Sequence, residues 1–305
     1  MQTQALQVHK LSQLTGHQAA LFALTADSEP GFFFSSGGDG WLVRWNVAEP
    51  DMGRLLAKTE AQVFSLLHLP SIKTLVAGTM HGGLHWIPLE EGGLSRNLAH
   101  HQRGVFALIA AEDWVFSAGG EGILSRWSVA DGRVNESLHL SNRSLRTVDY
   151  CAARRELAVG SSDASIYVVD ADTFSIRFVL SEAHSNSVFS VRYSPDGQYL
   201  LSGGRDAYLR VWDCNADFRQ ISAQPAHWYT INSIAWSPDG NFFATASRDR
   251  TIKIWDSKYF QLKKVLDSSR YGGHIRSVNT IIWLQDPQLL VSGSDDRSAI
   301  LWQIK

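Results

Sequence analysis

Histidine, serine and acidic residues are all present in this 305-residue chain, eleven histidines among them, but their spacing suits structure better than catalysis. His81 and His85 stand four apart, a separation of about 13 Å along a strand. They flank Gly82-Gly83, and no cysteine or carboxylate completes a ligand pattern, so no metal is expected. His100 and His101 would point oppositely in an extended segment. Gly37-Gly38-Asp39-Gly40 and Gly119-Gly120-Glu121-Gly122 have the composition of a phosphate cradle. Neither is followed by a Lys-Ser/Thr pair opening a helix, so they read as turn glycines. Ser, His and Asp do recur close together, which invites a hydrolytic triad. Their recurrence at a regular period is the argument against it, and no nucleophile elbow or nucleotide fingerprint accompanies them. The expectation is a chain without cofactor that is not an enzyme.

Charge and composition exclude further classes. A net charge of −2 gives no electrostatic drive towards nucleic acid or an anionic membrane. Met1–Leu14 lacks the apolar core of a secretory signal, and no segment approaches the roughly 18–20 apolar residues that span a bilayer. Cys151 and Cys214 form no disulfide framework and are read as reduced thiols of a cytoplasmic protein.

The elements that hold these residues repeat. Seven segments end alike: Asp39–Trp45, Met80–Trp86, Glu121–Trp127, Asp163–Val169, Asp206–Trp212, Asp249–Trp255 and Asp296–Trp302. Their last residues are 41 to 47 positions apart, the period of a propeller blade of four short strands. In the fifth repeat Ser187–Tyr193 alternates as a strand and Ser194-Pro195-Asp196-Gly197 turns. Tyr199–Gly203 and Tyr208–Trp212 follow, with Arg219–Ser222 as a weaker outer strand. Ser237-Pro238-Asp239-Gly240 repeats the first turn in the sixth, and helical periodicity is absent. No linker composition interrupts residues 1–305, which are expected to form one all-β domain. That domain is a seven-bladed β-propeller with four-stranded antiparallel blades. Only Gln303-Ile304-Lys305 follow Trp302, while Leu6–Leu11 alternates without a blade of its own. The N-terminal strand is therefore expected to close the last blade.

The motifs carry a resemblance. His184 … Ser202-Gly203-Gly204-Arg205-Asp206 … Val211-Trp212-Asp213 resembles a WD repeat. So does His227 … Thr245-Ala246-Ser247-Arg248-Asp249 … Ile254-Trp255-Asp256, and Gly273-His274 … Ser292-Gly293-Ser294-Asp295-Asp296 … Leu301-Trp302 keeps the pattern without the final Asp. In WD-repeat propellers the His, Ser/Thr, Asp and Trp form a structural hydrogen-bonded set. The resemblance implies complete sets at His17/Ser35/Asp39/Trp45, His184/Ser202/Asp206/Trp212, His227/Thr245/Asp249/Trp255 and His274/Ser292/Asp296/Trp302. The third repeat has His101, Ser117 and Trp127 with Glu121 for Asp, an arm long enough to leave closure in question. The second is assigned only Trp86 and the fourth only Asp163, so these two are expected to be the least rigid.

The resemblance also implies where partners bind: at the channel mouth, on positions counted from the His of each set, or from strand alignment alone for Phe64 and Arg146 in the second and fourth repeats, which lack that His. The fifth residue after it reads Phe22, Phe64, Phe106, Arg146, Phe189, Asn232 and Asn279; the residue before the Asp reads Gly38, Thr79, Gly120, Ser162, Arg205, Arg248 and Asp295. Phenylalanines on one arc and Arg146, Arg205 and Arg248 on the other suit a protein or peptide with an apolar anchor near acidic residues. The expected function is a protein-interaction scaffold, monomeric on its own, that binds neither nucleic acid nor membrane. The alternative is an enzyme or small-ligand binder using the axial channel. Arg44, His85 and Arg126, each just before a Trp, are unexplained, since strand alternation aims them between sheets.

Overall fold

The computed structural model describes residues 6–90 and 92–305. Seven four-stranded antiparallel sheets follow one another around the chain, each ordered from an inner to an outer strand. The innermost strands, Leu21–Ala26, Val63–Leu69, Val105–Ala111, Leu145–Cys151, Val188–Tyr193, Ile231–Trp236 and Val278–Leu284, define blades 1 to 7. Second strands such as Thr74–Thr79 and Leu289–Ser294 are buried at every residue. They are therefore runs of apolar and small residues rather than alternating ones. Outer strands such as Ile176–Leu180 are almost wholly exposed. The core lies between adjacent blades: Phe33, Val43 and Trp45 of blade 1 pack with Val291 and Leu301 of blade 7.

Blade 7 takes its outer strand from the other end of the chain. Val8–Leu14 pairs antiparallel with Ala299–Ile304, from Val8 opposite Ile304 to Leu14 opposite Ala299. That pairing covers the edge of Ala299–Ile304 and closes the ring. Among the described residues, helical structure is confined to one turn at Ser268–Tyr271, capped by the Asp267 side chain, and a 3-10 turn at Pro70–Ile72.

Blade 2 departs from the sequence assignment by one residue. In blade 1 Phe33 pairs with Trp45, Phe34 with Arg44 and Ser35 with Val43. In blade 2 the corresponding partners are Leu75 with Ile87, Val76 with Trp86 and Ala77 with His85. Ile87 thus holds the place of Trp45, and Trp86 that of Arg44. Matching tryptophan to tryptophan put the strand on the wrong face, because a one-residue slip inverts every side chain. Trp86 lies in the wall towards blade 3, beside Val115 and Trp127. The place of Asp39 falls to His81, and the position before it to Met80 rather than to the buried Thr79.

The same register explains the buried charges. Arg44 donates to Asp27 at 2.7 Å and Glu29 at 2.5 Å and lies 4.1 Å over the Phe32 ring. Arg126 pairs with Glu136, reaches the carbonyls of Ala171 and Asp172 in blade 4 at 3.1 Å, and lies over Trp114 and Phe174. His85 is half-buried and takes the place of Val43, so it is not equivalent to the two arginines.

Candidate interaction face at the channel mouth

In every blade but the second, the first strand is framed by a polar set behind it. His17 Nδ1 meets Asp39 at 2.8 Å and Nε2 meets Ser35 Oγ at 2.7 Å, while Trp45 Nε1 donates to Ser35 at 2.7 Å. Asp accepts only, so Nδ1 carries the proton, Ser donates to Nε2, and the Ser oxygen accepts from Trp. His184 meets Asp206 at 2.9 Å and Ser202 at 2.8 Å, with Trp212 on Ser202. His227 joins Asp249 at 2.9 Å and Thr245 at 2.7 Å, with Trp255 on Thr245. His274 joins Asp296 and Ser292 at 2.8 Å, with Trp302 on Ser292. Blade 3 closes its set too: His101 bonds both Glu121 and Ser117, and Trp127 donates to Ser117. Blade 4 uses a substitute, Asp163 accepting from Ser141 at 2.5 Å and Tyr167 at 2.7 Å. The nucleophile reading fails on access, because Ser35, Ser117, Ser202 and Ser292 are wholly buried.

These frames set the electrostatics. Burial pushes Asp296 up, but the His274 hydrogen bond and charge outweigh it and hold the carboxyl at about 2. Asp206 and Asp249 are depressed by their histidines in the same way, also against burial. Burial pushes His184 and His227 below the usual imidazole range despite their carboxylate partners.

One distortion recurs in all seven inner strands and builds the site. The ladder between first and second strands skips a residue near its start in every blade. The skipped residues are Phe22, Phe64, Phe106, Arg146, Phe189, Asn232 and Asn279. A bulge re-aims the side chain it carries, and here all seven line one cavity of about 140 Å³ at the channel mouth. Phe22 and Phe64 have ring centres 5.5 Å apart, and Phe64 stacks on Phe106 at 5.3 Å. The Arg146 guanidinium continues the stack, 4.3 Å from the Phe106 ring and 5.3 Å from Phe189. The remaining arc is amide: Asn232 donates to the Val278 carbonyl, and Asn279 to the Leu21 carbonyl and Asp295.

The arrangement differs from an apolar half facing a basic half. Arg146 is interleaved between phenylalanines. Its Nε donates to Ser162 at 2.9 Å, and among the described residues no carboxylate pairs with it. Burial, with the positive charge of Arg205, holds the guanidinium below its ordinary range. Arg205 and Arg248 are exposed at the rim, Arg248 lying 6.0 Å from the Tyr229 ring. Asp295 is engaged by Asn279 rather than free.

Three rim residues escaped the sequence reading. Trp228 is 86% exposed, Tyr229 60% and Ile275 65%. The backbone N–H groups of Trp228 and Ile275 are held by Asp249 and Asp296, so two polar sets present large apolar side chains to solvent. Trp228 and Ile275 directly follow the His of a set, a position the sequence reading did not count. Among the described residues no group of three or more His, Cys, Asp or Glu could hold a metal ion, and Cys151 and Cys214 are buried free thiols. No helix among them is long and apolar enough to cross a membrane.

The family described as "WD domain, G-beta repeat" matches residues 175–213, 218–256 and 266–303. The chain is a seven-bladed β-propeller that carries three WD repeats. The three matched spans hold the inner three strands of blades 5, 6 and 7, and in these blades every polar set is complete. The fold of the WD40 beta propeller domain of Doa1, known from a crystal structure, superposes with a TM-score of 0.86 over 97% of each chain, at 18% identity. That likeness is one of fold. No curated protein matches the propeller by sequence.

Proposed function

We propose that this propeller is an interaction scaffold whose channel mouth docks a protein or peptide segment bearing an apolar side chain next to a carboxylate. Arg146 carries the reading. A guanidinium held between two phenylalanine rings, desolvated and without an acidic partner, is a cation that a carboxylate would pair, in bidentate fashion where geometry allows. The Phe22–Phe64–Phe106 stack beside it offers ring area to an apolar anchor, and Trp228 and Tyr229 extend that area along the rim. The channel-ligand alternative finds less support, because Arg192 lies between the cavities of the two mouths, lining both, and is held there by Asp149 at 2.9 Å.

The test uses fluorescence anisotropy with labelled peptides that carry one leucine or phenylalanine flanked by glutamates. Arg146→Gln should weaken binding by about ten-fold, the loss of roughly 1.4 kcal/mol. Phe64→Ala with Phe106→Ala should abolish it while the melting temperature stays close to that of the parent. Arg205→Glu should weaken it less as salt is raised. Unchanged affinity in Arg146→Gln would refute the assignment.

A further inference from the structure

The opposite mouth of the channel has a different chemistry. It opens into a cavity of about 600 Å³ whose apolar lining includes Leu67, Ile109, Trp236, Ile282 and Trp283, all half-buried. Trp236 also lines a neighbouring cleft of about 280 Å³ between blades 5 and 6, whose other walls include Tyr199, Asp196 and Asp239. The two aspartates come from the Ser-Pro-Asp-Gly turns. Each accepts its own turn serine at 2.5 Å, Asp196 from Ser194 and Asp239 from Ser237. The Trp236 indole Nε1, though buried, has no hydrogen-bond partner among the described residues.

Charge around this mouth is mostly acidic, with Lys258, next to Ser257 of the cleft, an exposed cation without a carboxylate partner among the described residues. In the loops joining first to second strands, the cations are Lys73, Arg154 and Arg155. Each is already paired: Lys73 with Glu90 at 2.9 Å, Arg154 with Glu156 at 2.7 Å, and Arg155 with Glu112 and Asp172. Asp113, Asp196, Asp239 and Asp286, in the same set of loops, are exposed and have no cationic partner among the described residues. At the Arg146 mouth the aspartates of the polar sets are hydrogen-bonded to histidines, and the exposed arginines Arg103, Arg143, Arg205 and Arg248 outnumber the exposed carboxylates Glu60 and Glu182. A net charge of −2 thus conceals two mouths of opposite sign.

We propose that this second mouth docks a cationic segment of a partner protein. Its apolar side chain lies against Trp236 and Trp283, and its lysine or arginine groups lie over Asp196 and Asp239. Both halves of the recognition are needed. The cavity supplies area, and the unpaired aspartates steer the cation and set its orientation. This site does not depend on the one proposed at the Arg146 mouth, and the two together would let one propeller bridge an acidic and a basic partner.

The experiment uses the full chain and a labelled peptide with one leucine flanked by lysines, with the glutamate version as its counterpart. Asp196→Asn with Asp239→Asn should weaken the lysine peptide by about ten-fold. Asn retains the oxygen that accepts from the turn. Asp113→Lys with Asp286→Lys, whose side chains make no hydrogen bond that folding needs, should weaken it with a loss that shrinks at high salt. Phe64→Ala with Phe106→Ala should leave it unchanged while removing the glutamate peptide. The proposal is overturned by parental affinity in both aspartate variants, by loss of the lysine peptide in the phenylalanine variant, or by no binding at millimolar peptide.

Discussion

Replacing Asp249 by alanine tests whether the polar sets hold the ring rather than decorate it. The Asp249 carboxylate accepts from His227 Nδ1, the Thr251 hydroxyl at 2.6 Å, and the backbone N–H groups of Trp228 and Thr251. The His227 side chain is fully buried, so alanine leaves its proton no water and only the Thr251 hydroxyl, 3.3 Å away, in place of the charged acceptor. One stranded buried donor costs about 1–3 kcal/mol, and the backbone groups near the surface recover part of theirs from solvent. A total near 3 kcal/mol is expected. Asp163→Ala strands two hydroxyls, those of Ser141 and Tyr167. Hydroxyls rotate to new acceptors, so that loss should be nearer 1 kcal/mol. Urea unfolding of the two variants, with unchanged slopes, should show the midpoint falling further for Asp249→Ala. Asp249→Asn, which keeps an acceptor, should fall between it and the parent. Equal midpoints for the two alanine variants would refute the claim that the buried histidine makes the difference.

The indoles of blades 2 and 3 give a second comparison. Trp127→Phe removes a donor that Ser117 uses and should cost about 1–2 kcal/mol. Trp86→Phe removes a buried N–H that has no partner, so its melting temperature should stay within a degree or two of the parent. A third expectation concerns acid. His184 and His227 are depressed in the folded chain, so below about pH 6.5 the unfolded state binds protons first and stability falls. Asp206, Asp249 and Asp296 are depressed as well, and their contribution, full above about pH 4, is lost as pH drops towards 2. Urea midpoints measured from pH 8 to 3 should therefore decline in two steps, and a rise between pH 7 and 5 would contradict the buried neutral histidines.

The sequence by itself determined the period, the number of blades, the closing strand and the four complete polar sets. Each rests on local, repeated chemistry: a turn such as Ser194-Pro195-Asp196-Gly197, or a His and a Ser eighteen residues apart, means the same thing wherever it occurs. The seven positions of the Phe22 ring could also be counted from the sequence. What they do could not, because the bulge that swings Arg146 between Phe106 and Phe189 depends on backbone pairing with the second strand. Register decided blade 2 likewise, since two adjacent candidates, Trp86 and Ile87, differ only in which face pairing gives them. Glu121 and Tyr167 complete their sets through side-chain reach, which has no signature in spacing. The polarity of the two mouths was hidden for a related reason: net charge sums over the whole surface, whereas only the folded ring shows which charges are already paired and which still face solvent alone.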